Sequence, residues 1–191
     1  MADRRLPPLD DAGLDLAQRG FKAHLTAGPR GLRIVDAQGR LDGPFDALLR
    51  SPVLGRATVD VGTILRYESE LSDYQRELAI LVVTSRWGAA FSLTRHKGYA
   101  RQAGLPGPVV EAIAAGTRPD FDSPADDAVH DYVHELVFSG QVGDETYAAA
   151  AGALGEQKLV DLTVLAGYYT LTAYILNAYR VPAPPDPATR E

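Results

Sequence analysis

Glu77 and His96 are the two residues of this sequence best suited to chemistry. Glu77 opens an apolar run from Leu78 to Val83, and His96 follows on a polar-rich segment beyond Gly88. A carboxylate at the root of a buried run, close to an imidazole, forms an acid–base pair. The imidazole gives or takes a proton near neutral pH, and the carboxylate orients it and stabilises its charged form. If residues 89–102 are helical, Ala89, Ser92, His96 and Tyr99 share one face, at spacings of about one turn each. Ser92 then lies within hydrogen-bond reach of His96, but no oxyanion donor or orienting acid marks it as a nucleophile. The competing reading is structural: Glu77 pairs with Arg76, Arg86 or Arg95, and His96 is an ordinary partly buried histidine.

Two helices must bring these groups together. Ser72 with Gln75 three residues later is a capping box, so the first helix starts there. It is apolar on nearly every side, which predicts burial from all directions. Gly88 is the expected break, and Gly104 the expected stop of the second helix. Around the pair, Trp87, Phe91, Tyr99 and Tyr168 could line an apolar pocket, and Arg86 or Arg95 could hold a carboxylate bidentately.

The remaining chain reads as helices separated by Gly/Pro loops, with no convincing strand alternation. Residues 10–27 place Leu14, Ala17, Phe21 and Leu25 at helical spacing, and His24 falls in the last turn as a dipole partner. A loop over 28–44 leads to a short helix at Phe45. Ser51-Pro52 opens the next, with Leu54, Ala57, Val61, Ile64 and Leu65 facing inward. Ser123-Pro124 starts a helix carrying His130 and His134, four apart as in a zinc motif, but no third ligand follows and no metal is expected. The last helix, about Glu156 to Ala178, has no formal charge from Leu162 to Asn177; its tyrosines and threonines make it too polar for a membrane span. Its Val160–Leu165 segment weakly echoes Arg76–Leu81, with Asp161 in the place of Glu77.

Composition narrows the class. The chain has 191 residues, enough for one full core, and its formal charge of −6 argues against nucleic acid, which requires a basic stripe. There is no cysteine, so disulfides and thiolate chemistry are impossible. No phosphate-cradling glycine pattern is present, and the first residues lack an apolar leader, which makes cytoplasm the expected location.

The segment Arg76-Glu77-Leu78, with Arg86-Trp87-Gly88-Ala89, His96 and Ala103-Gly104-Leu105, resembles the carboxymuconolactone decarboxylase / alkylhydroperoxidase D-like family. So do Gly43-Pro44-Phe45, Leu48–Pro52, and the stretch from Leu154 to Asn177. The likeness covers nearly the whole chain. The Gly/Pro breaks predict an all-α fold of about six to eight helices over residues 1–181, with a proline-rich tail at 182–191, and the resemblance implies that this fold is alkylhydroperoxidase D-like. It also implies a homo-oligomer (trimer, hexamer or dimer) and a cofactor-independent lyase or isomerase. His96 and Glu77 would shuttle a proton on a small carboxylated or enolisable, lactone-like substrate. The Cys-x-x-Cys pair of the peroxidase branch would fall at Ala89 and Ser92, and the decarboxylase branch commonly has a glutamate where Ser92 stands. Thiol peroxidase activity is therefore disfavoured, and a non-catalytic ligand-binding or scaffold oligomer is the alternative to a lyase.

Overall fold

A computed structural model describes residues 4–184; residues 185–191, most of the proline-rich tail, lie outside that range. The described residues form nine α-helices, with one isolated antiparallel bridge between Val35 and Leu41 and no strand. The helices are α1 (Leu16–Ala27), α2 (Pro44–Leu48), α3 (Pro52–Tyr67), α4 (Asp73–Arg86) and α5 (Ala90–Gln102). Then follow α6 (Gly107–Ala114), α7 (Pro124–Ser139), α8 (Asp144–Leu154) and α9 (Glu156–Ala178).

α4 is the axis of the bundle, in contact with α5, α6, α7 and α9. Its N-terminus is fixed by the capping box: Gln75 N donates to Ser72 Oγ and Ser72 N to Gln75 Oε1, both at 3.1 Å. Leu78, Ala79, Ile80, Leu81 and Val83 have no exposed surface; each large apolar side chain so buried contributes about 1.5–3 kcal/mol. Gly88, at φ +57°, turns the chain from α4 into α5, and Gly104, at φ +97°, ends α5.

Four elements differ from their sequence patterns. α1 begins at Leu16 behind an Asp15–Gln18 capping box, after a 3₁₀ turn at Asp11–Gly13, and Ala17 faces outward. α3 keeps Leu65 inside as expected but is otherwise turned the other way: Gly55, Val59 and Gly62 are buried with it, while Leu54, Ala57, Val61 and Ile64 are exposed. The reason is close approach. A Cβ on Gly55 would lie 2.8 Å from Leu48 O and 3.0 Å from Phe21 Cζ, and one on Gly62 would overlap the Tyr168 hydroxyl. α8, an alanine-rich helix against α7 and α9, has no apolar periodicity to announce it, but alanine has the highest intrinsic helix propensity. His130 is buried at 3% exposure rather than solvated, stacked on His134 with centroids 5.7 Å apart.

α9 is long and apolar enough to cross a membrane by length and composition, with a mean hydropathy of 1.4 over its most apolar window. Here it packs on α2, α3, α4, α5, α7 and α8. Asp161 does not mirror Glu77 in its surroundings: it accepts from Ser69 Oγ at 2.7 Å and helps hold the α3–α4 connection.

Candidate active site

The prediction that α4 and α5 juxtapose a carboxylate and an imidazole holds. His96 Nδ1 donates to Glu77 Oε2 at 2.6 Å, with Glu77 2% and His96 8% exposed. The carboxylate occupies one ring nitrogen and leaves Nε2 without a protein partner among the described residues. Tyr99 and Tyr169 meet the imidazole edge-on, at 5.5 and 5.1 Å between centroids, and fix its plane.

The ion-pair partner of Glu77 is none of the three arginines the sequence suggested. Arg66 of α3 places Nη1 3.1 Å from Glu77 Oε1. That approach lacks hydrogen-bond alignment, so Oε1 accepts no hydrogen bond among the described residues. Burial alone would raise the Glu77 pKa, but His96, Arg66 and Arg76 together hold it below the ordinary carboxylate value. Arg66 in turn stays firmly charged: burial opposes its charge, yet the Glu77 carboxylate beside it raises its pKa, and it lies 4.8 Å over the Tyr99 ring. The dyad is thus a carboxylate held ionised between an imidazole and a guanidinium.

His96 opens on a cavity of about 130 Å³, with Glu77 behind it. Ser92, His96 and Tyr99 line it, as expected of one face of α5, together with Phe91 and Arg95. Ser92 is 6% exposed and makes no hydrogen bond to protein among the described residues. Phe91 is seated by Gly43, whose φ of +61° and lack of a Cβ admit the ring; a Cβ there would lie 2.5 Å from Phe91 Cε1. Trp87 and Arg86 do not line the cavity. Trp87 Nε1 donates to Thr170 Oγ1 at 3.1 Å, its carbonyl accepts from Asn177 Nδ2 at 2.6 Å, and its ring meets Tyr174 edge-on, so it ties α4 to α9. Arg86 lies over the Trp87 and Phe138 rings.

The other walls come from distant segments: Arg30, Arg33 and Asp42 from the loop, Phe45 from α2, Arg66 and Tyr67 from α3, and Tyr168, Tyr169 and Thr172 from α9. Of these the sequence reading reached only Tyr168. Burial raises the Tyr168 and Tyr169 pKa values, so both hydroxyls stay protonated and can only donate or accept as neutral groups. Among the described residues no group of three His, Asp or Glu is placed to hold a metal. Asp131, between the two histidines of α7, is engaged by Arg118 at 2.9 Å.

No protein-family model matches the chain, and no curated protein does. Solved structures do. An uncharacterized peroxidase-related protein of Ralstonia eutropha JMP134 with an alkylhydroperoxidase AhpD core superposes with a TM-score of 0.76 at 13% identity, covering 97% of this chain and 94% of that one. An uncharacterized peroxidase-related protein of Silicibacter sp. TM1040 gives 0.75 at 13% identity, over 100% and 96%. The fold is that of the alkylhydroperoxidase D-like proteins. A third structure with this AhpD-like fold, the debrominase Bmp8 in complex with 2,3,4-tribromopyrrole, gives 0.71 at 14% identity over 97% and 96%. At these identities the likeness is one of architecture; the AhpD-like scaffold here carries no cysteine at its site.

Proposed function

We propose that the cavity is the active site of a cofactor-independent lyase or isomerase of the carboxymuconolactone decarboxylase type, with His96 as the proton carrier. The observation that carries this reading is the buried Glu77–His96 hydrogen bond, which leaves Nε2 as the partner-free ring nitrogen of a cavity-lining histidine. In an isomerisation, Nε2 removes a proton α to a carbonyl, the C–H pair delocalises into an enolate, and the imidazolium returns the proton at the far carbon. In a decarboxylation, Nε2 first takes a proton from solvent, the C–C pair stays on the substrate as CO₂ leaves, and the imidazolium gives that proton to the resulting carbanion. In both, Glu77 keeps Nδ1 protonated and stabilises the transient positive charge. Ser92 offers the enolate oxygen a neutral hydrogen bond.

Size and charge support a small anionic substrate. A cavity of about 130 Å³ is comparable to one that accommodates a single benzene-sized ring. Its charged lining is rich in arginine in a protein of net charge −6. The exposed apolar side chains Val53, Leu54, Val61 and Ile64 on α3 support assembly into a homo-oligomer through that face.

The test is a panel of lactone acids and β-keto acids with wild type and His96→Ala. Loss of a general acid–base lowers turnover by roughly 10² to 10⁴. His96→Ala with wild-type turnover on an accepted substrate would sink the mechanism, whereas binding without turnover of any panel member by wild type would favour a ligand-binding scaffold.

A further inference from the structure

Four arginines line the cavity, and their commitments differ. Arg66 is paired with Glu77. Arg95 Nη2 donates to Asp42 Oδ2 at 2.6 Å. Arg33 is exposed, and its Nε and Nη2 donate to the Arg30 and Pro29 carbonyls at 3.2 and 2.9 Å. Arg30 alone of the four is partly buried and has no acid and no backbone carbonyl as partner among the described residues.

Arg30 is nonetheless held in place. Its Nη1 donates to Thr63 Oγ1, and Thr63 donates its own proton to Val59 O at 2.8 Å, so its oxygen is turned as an acceptor toward the guanidinium. The Arg30 guanidinium carbon lies 5.7 Å from the Phe45 ring centroid and 5.9 Å from that of Tyr67. A guanidinium steadied on aromatic faces keeps its donor edge free, and Nε and Nη2 carry no protein partner among the described residues. That edge is the fork that matches a carboxylate bidentately.

We infer that Arg30 is the anion anchor of the cavity and makes it specific for a planar, single-ring substrate bearing a carboxylate. This rests on the cavity being the substrate site, as proposed above. Phe45, Tyr67, Phe91 and Tyr99 provide flat apolar walls, while the fork takes the anionic end and the rest of the ring lies toward His96. The anchor belongs to the loop before α2, not to the helices that carry the dyad, so the anion anchor and the proton carrier reside on separate segments.

Titration calorimetry of benzoate and its neutral isostere benzamide tests this without turnover. Wild type should prefer benzoate. Arg30→Gln should weaken benzoate by about tenfold or more, the effect of losing hydrogen bonds to a charged group, and leave benzamide unchanged, which also reports an intact cavity. Arg30→Lys, which keeps the charge but not the fork, should fall between. Should Arg30→Gln not fold, weaker benzoate binding by Arg30→Lys supports the anchor and unchanged binding overturns it. Equal benzoate affinity in Arg30→Gln and wild type, or no preference for benzoate in wild type, also overturns it. His96→Ala should keep the preference. Loss of turnover in His96→Ala with an unaltered preference in Arg30→Gln removes the anchor and leaves the dyad; the reverse pattern removes the dyad and leaves the anchor.

Discussion

At the residue scale, the two halves of the dyad are expected to fail differently. His96→Ala leaves Glu77 paired with Arg66 but without its hydrogen bond, so it should remove activity at a cost of about 1.5–3 kcal/mol in stability. Glu77→Gln leaves the Arg66 guanidinium, with 21% of its side chain exposed, beside an uncharged amide. Breaking such a pair costs about 3–5 kcal/mol, and urea midpoints of the two variants should differ accordingly. The pH dependence has a definite sign. The folded Glu77 pKa lies below its ordinary 4.5, so the stability it contributes is present above that value. It is lost as pH falls through the folded pKa. Melting temperature should therefore drop on acidification below about pH 4.5, and this part of the drop should be absent in Glu77→Gln. The dyad was legible because Glu77 and His96 lie on consecutive helices joined at Gly88, where local spacing carries spatial meaning. Arg66, Arg30 and Tyr169 were not, since each reaches the cavity from an element whose placement only tertiary packing decides.

At the element scale, the lesson lies in α3. Its apolar residues outline one face, yet the buried face is the one with Gly55 and Gly62, because removing side chains there lets α1 and α9 come close. Apolar periodicity cannot distinguish a face that packs by shape from one left bare. Gly62→Ala drives a methyl group into the Tyr168 hydroxyl. Overpacking of this kind costs about 1–3 kcal/mol, and the expected result is a lower denaturant midpoint together with weaker benzamide binding, since Tyr168 is a cavity wall. On α7, burial lowers the His130 pKa below 6.5, against the opposing pull of Asp131. Arg118, His134 and Phe121 are its other close neighbours. The unfolded chain then binds the proton first, so stability falls as pH drops below about 6.5. His130→Phe should flatten the melting-temperature profile between pH 7 and the folded pKa of His130; an unchanged slope would show that another group titrates there.

At the scale of the whole molecule, the outward apolar face of α3 is where the proposed homo-oligomer would form. Val53 and Leu54, 87% and 64% exposed, should not remain in water if the homo-oligomer forms through this face. Light scattering should give a mass of at least two chains for wild type, and Val61→Glu with Ile64→Glu should return it to one. A monomeric wild type would remove that assembly. The all-α class was readable throughout from helix starts and Gly/Pro breaks, whereas the α3 orientation and the silent alanine helix α8 depend on partners that no local pattern names. The apolar interior is also divided. Leu14, Phe21, Leu25, Leu41, Leu49 and Val59 form one cluster under the loop that carries Arg30, and the α4-centred cluster carrying the dyad is separate from it. Under the function proposed above, natural variation could rewrite what this scaffold recognises without disturbing what it would do to a proton. Relatives that differ around positions 30 and 45 but retain the glutamate and histidine would form a series with one chemistry and many clients.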